Sequence, residues 1–69
     1  NMVTYAPHQQ RVVDERAELV DKITKLDSFV AGSMFSTLVM EEQGRLSKQL
    51  EIMRDYATVL QARIDAFVV

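Results

Sequence analysis

Along this chain, residues that are mostly apolar recur at alternating spacings of four and three positions. This spacing is typical of one face of an amphipathic α-helix. In the first half these positions, which we call the seam, are Val12, Arg16, Leu19, Ile23, Leu26 and Val30. In the second half the seam consists of Leu46, Leu50, Met53, Ala57, Leu60, Ile64 and Phe67. The spacing predicts an all-α protein with helices at about residues 7–31 and 38–67.

Residues with known preferences for helix ends mark the predicted boundaries. Pro7 can occupy the first turn of a helix, where its missing N–H leaves no hydrogen bond unmade. Gly32 is expected to end the first helix in the left-handed conformation, which costs glycine little. Thr37 is the expected N-cap of the second helix, and Glu41 and Glu42 suit its first turn because carboxylates oppose the positive end of the helix dipole.

The short connection between the helices predicts an antiparallel hairpin. Its apolar residues Met34, Phe35 and Leu38 are expected to fold over the end of the hairpin. With the turn centred near residue 36, residues whose numbers add to about 72 lie opposite one another. The expected partners are Leu26 with Leu46, Leu19 with Met53 and Arg16 with Tyr56, while His8, Gln9 and Arg11 approach Arg63 at the open end.

A second apolar row lies beside each seam. In the second helix it contains Ile52, Tyr56, Val59 and Ala66, and in the first helix Val13, Ala17 and Val20. Because one partner helix can cover only one seam, these rows predict further helices supplied by other copies of the chain. We therefore expect a single helical-hairpin domain, residues 1–69, that assembles into a homo-oligomeric helical bundle of at least two copies.

The size of the chain supports the same expectation. Folding 69 residues into a compact shape would bury about 7,000 Å² of surface. If about 60% of that surface is apolar, the gain is about 105 kcal/mol, and ordering the residues costs about as much. The chain has no cysteine and therefore no disulfide to stabilise it. Self-association is the remaining source of stability.

Composition excludes several classes of function. The absence of cysteine fits a reducing compartment, and no segment resembles a signal peptide or a membrane span, so a location in the cytoplasm without membrane contact is expected. The net charge of −2 provides no basic surface for DNA or RNA polymers. With one histidine and no catalytic motif, we expect neither an enzyme, nor a metal site, nor a cofactor.

Most charged residues fit a solvated helix surface. Acid-first pairs at i,i+4 join Glu18 with Lys22, Asp21 with Lys25 and Glu41 with Arg45, and each is worth a few tenths of a kcal/mol. We assign no function to these pairs.

Arg16 and Arg63 are different because they stand in or beside the apolar rows. A buried guanidinium needs an anionic partner. One hypothesis is that both arginines extend their guanidinium groups to solvent, or pair with Asp14, Asp55 or a carboxylate of a neighbouring subunit. The other is a ligand pocket at a subunit interface, in which guanidinium groups bind phosphate and a phenol ring stacks on a base. The residues of this predicted pocket are Arg16, Arg63, Tyr56, Arg11 and His8.

The chain resembles a family of very short phage and prophage proteins described as related to a crAss-like phage protein. The matching residues are His8-Gln9-Gln10-Arg11-Val12-Val13-Asp14-Glu15, Glu18-Leu19, Lys22-Ile23, Lys25-Leu26, Phe29, Phe35, Leu38, Glu41-Glu42-Gln43, Leu50, Met53, Tyr56, Leu60, Arg63-Ile64 and Phe67. This resemblance implies a phage accessory protein that acts in the cytoplasm of a bacterial host.

Phage proteins of this size class include oligomers that sequester nucleotide signals of host immune systems, such as cyclic dinucleotides, between their subunits. By analogy of class, the resemblance implies an anti-defence protein that binds a small nucleotide without catalysis. The alternative is a helical protein-interaction module that binds and inhibits a host or phage protein.

Overall fold

The computed structural model describes residues 4–67, which form an antiparallel helical hairpin. Helix α1 spans Pro7–Ala31, a single 3₁₀ turn spans Phe35–Thr37, and helix α2 spans Met40–Asp65. The hairpin measures 47 × 18 × 15 Å. The predicted all-α hairpin and the bounds of the first helix are confirmed, whereas α2 is shorter by two residues at each end than the predicted 38–67.

The open end of α1 begins as the sequence indicates. Pro7 is the first helical residue, and the Gln9 side chain accepts a hydrogen bond from the Ala6 N–H at 2.9 Å. This contact satisfies a backbone donor that precedes the helix. Above it, the rings of Tyr5 and Phe67 meet edge to face with centroids 5.9 Å apart, so an aromatic pair closes the open end.

Gly32 ends α1, but the expected left-handed conformation is wrong. Its φ of −87° and ψ of 172° are extended, and its N–H donates to the Phe29 carbonyl at 3.1 Å. A Cβ at this position would lie only 3.3 Å from the carbonyl oxygen of Ser28. Gly32 therefore fits because it has no side chain. This allows the backbone that follows α1 to pass close to the last turn of the helix.

The start of α2 also differs from the prediction. Val39 is the N-cap, and Thr37 instead donates its hydroxyl to the Met34 carbonyl at 2.6 Å within the 3₁₀ turn. The carbonyl of Leu38 is satisfied by the side-chain amide of Gln43 at 2.8 Å. A side chain from within the helix thus fixes the entry of the chain, and the cap residue itself contributes none.

The turn covers the closed end of the hairpin only partly. The rings of Phe29 and Phe35 meet edge to face with centroids 6.4 Å apart, and Phe35 and Leu38 are half-buried. Met34 is 63% exposed, so the expectation that it folds over the end of the hairpin is wrong. Met34 is the residue that precedes the 3₁₀ turn, and it remains largely in contact with solvent there.

The seam forms the core as predicted, but the core is thin. Among residues 4–67 only Val12, Leu50, Ala57 and Leu60 are buried, and the other seam residues from Val12 to Phe67 are half-buried. The radius of gyration is 15.5 Å, against about 11 Å for a compact domain of this length. The exposed surface is 5281 Å², against about 4,400 Å² expected for this mass. One hairpin therefore leaves much of its apolar surface uncovered. No helix within residues 4–67 combines the length and apolarity needed to cross a lipid bilayer.

Candidate functional site

Two cross-helix contacts define the two flanks of the hairpin. Arg54 donates to the Asp27 carboxylate at 2.8 Å, and the hydroxyl of Tyr56 donates to the Glu15 carboxylate. Arg54 and Tyr56 are two residues apart, which is about 200° around the helix, and the seam lies between them. We call the two sides of the hairpin the Arg54 flank and the Tyr56 flank.

The same contacts test the predicted register. Glu15 with Tyr56 and Tyr5 with Phe67 have residue numbers that add to 71 and 72, which confirms the predicted alignment of the helices. Arg54 reaches Asp27 diagonally, as a long side chain can. The hydroxyl of Tyr56, however, binds Glu15, which is the neighbour of the expected partner Arg16.

Half of the positively charged side chains are neutralised within the hairpin. Of the eight lysine and arginine residues, four form ion pairs within residues 4–67. These pairs are Lys25 with Asp21, Arg45 with Glu42, Lys48 with Glu51 and Arg54 with Asp27. The other four cations, Arg11, Arg16, Lys22 and Arg63, have no carboxylate partner in this part of the chain.

Three of these four unpaired cations are the arginines of the predicted pocket. The carboxylates proposed as alternative partners, Asp14 and Asp55, form no ion pair within residues 4–67, and Asp14 accepts a hydrogen bond from Gln10 at 2.9 Å instead. Within the described hairpin, therefore, the ion-pair hypothesis finds no partner for Arg16 or Arg63. A carboxylate of another subunit remains as the structural alternative.

Most of the predicted pocket residues lie on the Tyr56 flank. At about 100° per residue, helical spacing places Arg11 on this flank of α1 and Arg63 two turns beyond Tyr56 on α2, about 10 Å along the axis. His8 lies one turn before Arg11, level with Arg63, and is exposed. The Tyr56 side chain is 43% exposed, so its ring is available while Glu15 holds its hydroxyl.

Arg16 is the exception, because it emerges on the other side of the seam. Helical spacing puts it on the same flank as Asp27, and its Nε is buried without a hydrogen-bond partner. A buried donor without a partner costs free energy, which an acceptor from outside the hairpin would recover. One chain therefore groups Arg11, Arg63, Tyr56 and His8 but does not bring Arg16 to them.

The structure adds two residues that the sequence pattern did not single out. Lys22 was expected to pair with Glu18, yet this pair is absent from residues 4–67, and helical spacing places Lys22 on the Tyr56 flank. Glu15 was not assigned a role, and its contact with Tyr56 becomes visible only when the two helices are aligned. Arg45 pairs with Glu42 at 2.8 Å, and the expected partner Glu41 is not used.

The chemistry of this flank is that of binding. Guanidinium and ammonium groups donate hydrogen bonds to anions, an exposed phenol ring can stack on a planar group, and a carboxylate accepts hydrogen bonds. Among residues 4–67 no three His, Asp or Glu side chains are grouped in a way that could hold a metal ion. A helical hairpin with unpaired cations fits the class of small helical binding proteins.

The comparison with known families agrees with that class. The chain belongs to the Sequestin family, whose model matches residues 6–66. The family name suggests a sequestering protein, and hence a binding protein rather than an enzyme, although it names no ligand. No curated protein and no solved structure is significantly similar to the chain.

Replacing Arg16 with leucine tests whether this arginine has a structural partner. We expect the free energy of unfolding to stay the same or to rise, because leucine suits the seam and no carboxylate of residues 4–67 loses its partner. Chemical denaturation of both proteins at equal concentration measures the difference. A loss of about 3–5 kcal/mol would instead reveal a broken buried ion pair.

Proposed function

We propose that this protein sequesters a phosphate-bearing nucleotide, of the kind that host immune systems use as signals, without altering it chemically. The ligand binds at or near a subunit interface through Arg16, Arg63, Tyr56, Arg11 and His8. The setting is that of a phage anti-defence protein in the cytoplasm of a bacterial host.

The observation that carries this proposal is the set of unpaired arginines. The hairpin neutralises Arg45 and Arg54 with nearby carboxylates but leaves Arg11, Arg16 and Arg63 without one among residues 4–67. A guanidinium group offers paired donors that match two phosphate oxygens, which makes arginine the usual residue for phosphate recognition. Arginines kept free of carboxylates are available for such a ligand, and the Sequestin family name supports a sequestering role.

Tyr56 and Glu15 supply the contacts that a base would need. The hydrogen bond to Glu15 fixes the phenol, so the partly exposed ring is already oriented when a base stacks on it. The second carboxylate oxygen of Glu15 is free to accept a hydrogen bond from an amino or imino group of that base. A nucleotide thus uses both the positive and the negative groups of the Tyr56 flank.

One observation favours the protein-interaction alternative. A shallow surface groove of about 330 Å³ on α2 is lined by Arg45, Lys48, Gln49, Ile52 and Met53. Exposed apolar side chains between basic ones suit an acidic amphipathic helix of a partner protein. We rank this function second because Arg45 and Lys48 are both already paired with carboxylates.

A thermal-shift screen with cyclic and linear nucleotides tests the proposed function. Ligand at a hundred times its dissociation constant adds about 2.7 kcal/mol, which raises the melting temperature of a domain of this size by about 10–20 °C. We expect such a rise with at least one nucleotide, no change with the matching nucleoside, and recovery of the intact nucleotide afterwards. A screen without any rise would favour the interaction module.

A further inference from the structure

The two apolar rows beside the seam lie on opposite flanks of the hairpin. On α2, Ile52, Tyr56 and Val59 form a row on the Tyr56 flank, which we call the α2 stripe. On α1, a row on the Arg54 flank consists of Val13, Ala17 and Val20. We call this row the α1 stripe. Helical spacing from the two cross-helix contacts fixes these positions.

The two stripes match each other in size and spacing. Each follows the spacing i, i+4, i+7. The α2 stripe is large and open to solvent, with Ile52 55%, Tyr56 43% and Val59 54% exposed. The α1 stripe is flatter, since Ala17 is small and Val20 is only 36% exposed. Alternating large and small side chains across facing positions allow close helix packing, and here the large Tyr56 can face the small Ala17.

The stripes also match in register. When the α2 stripe of one copy packs antiparallel on the α1 stripe of another with the open ends level, Ile52 faces Val20, Tyr56 faces Ala17 and Val59 faces Val13. The residue numbers of these partners add to 72 or 73, close to the sums of 71 and 72 for the cross-helix contacts within the hairpin. Each contact of this kind therefore adds a copy without a shift along the axis, and such an assembly closes into a ring when the rotation from copy to copy divides a full turn.

We propose that copies of this chain associate head to tail, α2 stripe on α1 stripe, in a closed ring of more than two subunits. Two different surfaces on opposite flanks cannot satisfy each other within a rigid dimer. The hairpin exposes about 900 Å² more than a compact protein of its mass, which is about the surface that each partner buries in one standard interface, and each subunit of the ring forms two such interfaces.

This assembly completes the nucleotide site, and that part of the inference rests on the proposed function. Arg16 lies beside Ala17 on the Arg54 flank, so in the ring the partner subunit's Arg16 comes level with Tyr56. Its buried Nε has no partner within one chain. Each site then combines Tyr56, Arg63 and Arg11 of one subunit with Arg16 of the next, and no single chain holds a complete site.

Cysteine cross-linking tests the ring without background disulfides, because the sequence has no cysteine of its own, and substitutions at the exposed Ile52 and Val20 leave the buried residues in place. Disulfides form only between Cα atoms within about 7 Å of each other. Under oxidation, Ile52→Cys alone and Val20→Cys alone should stay monomeric on a denaturing gel, and a mixture of the two should give a covalent dimer. A chain with both substitutions should give a ladder that ends at the ring size.

Other cross-linking results would overturn the proposal. A covalent dimer from either single variant would show that two identical stripes meet, as in a two-fold dimer. A mixture that forms no dimer would show that the two stripes do not meet. Native mass spectrometry of the unmodified protein should give the same subunit number as the last band of the ladder.

Mixing two binding-deficient variants tests the composite site. Arg16→Leu and Arg63→Leu, each inactive alone, should regain about a quarter of the wild-type binding stoichiometry when refolded together in equal amounts, because a quarter of the interfaces join intact surfaces. No recovery in proven mixed rings would show that the site lies within one chain. If the wild-type protein binds no nucleotide, the proposed function fails, but the cross-linking result still decides the ring.

Discussion

Replacing Leu50 with aspartate is expected to abolish folding. Leu50 is 5% exposed at the centre of the α2 seam, and only four of the described residues are buried at all. An unpaired carboxylate at such a position costs several kcal/mol, while a small domain has only about 5 kcal/mol of stability in total. Circular dichroism should show loss of the helical signal at room temperature.

The control for this substitution is Ala62→Asp on the same helix. Ala62 is exposed and faces away from α1, so the same carboxylate remains in water. Its expected cost is about 1–1.5 kcal/mol, from the lower helix propensity of aspartate and from a negative charge near the C-terminal end of the helix dipole. Equal melting temperatures for the two variants would contradict the assignment of the seam. Lys25→Ala, which removes one member of an exposed ion pair, should melt within a few degrees of the wild type.

Replacing Arg63 with leucine is expected to remove most of the nucleotide affinity and leave the hairpin folded. Arg63 is exposed and has no carboxylate partner among residues 4–67, so its loss removes no intramolecular pair. Removing one charged partner of a ligand phosphate costs about 2–5 kcal/mol, which weakens binding by about thirty-fold to several thousand-fold. Isothermal titration calorimetry with the best nucleotide of the screen measures the change.

Two further variants separate the causes of this loss. Arg63→Lys keeps the positive charge but lacks the planar fork of donors, so an intermediate affinity would indicate paired contacts to phosphate. Lys25→Ala also removes one positive charge, but from an exposed ion pair on the outer face of α1, and its affinity should be unchanged. An equal loss in Lys25→Ala and Arg63→Leu would mean that net charge, and not a defined site, governs binding.

The seam could be predicted from the sequence because its spacing repeats over six or seven residues in each helix. Val12, Leu50 and Leu60 are buried where the pattern places them, and α1 has the predicted bounds. The ends of α2 are predicted less well, because several residues compete for each cap. The Thr37 hydroxyl donates to the Met34 carbonyl and does not cap the helix, and α2 begins two residues later than expected.

The candidate site was only partly accessible to sequence reasoning. Arg16 can be identified directly, because it is a charged residue at a position of the apolar seam. Arg63 and Tyr56 can be identified because they lie in or beside the second apolar row. The flank of the hairpin on which each of these residues lies depends on its angle around the helix axis. The predicted register gives only positions along that axis, and not this angle. The opposite flanks of Arg16 and Tyr56 and the contact of Tyr56 with Glu15 therefore required the structure.

The placement of the aromatic residues gives the protein an optical probe of its own. The chain has two tyrosines and no tryptophan. Tyr5 contacts Phe67 at the open end, and Tyr56 lies on the flank of the candidate site with its phenol bound to a carboxylate. The closed end has only phenylalanines, Phe29 and Phe35. Tyrosine fluorescence of the unlabelled protein therefore reports on the open half of the hairpin alone, the half to which a nucleotide would bind.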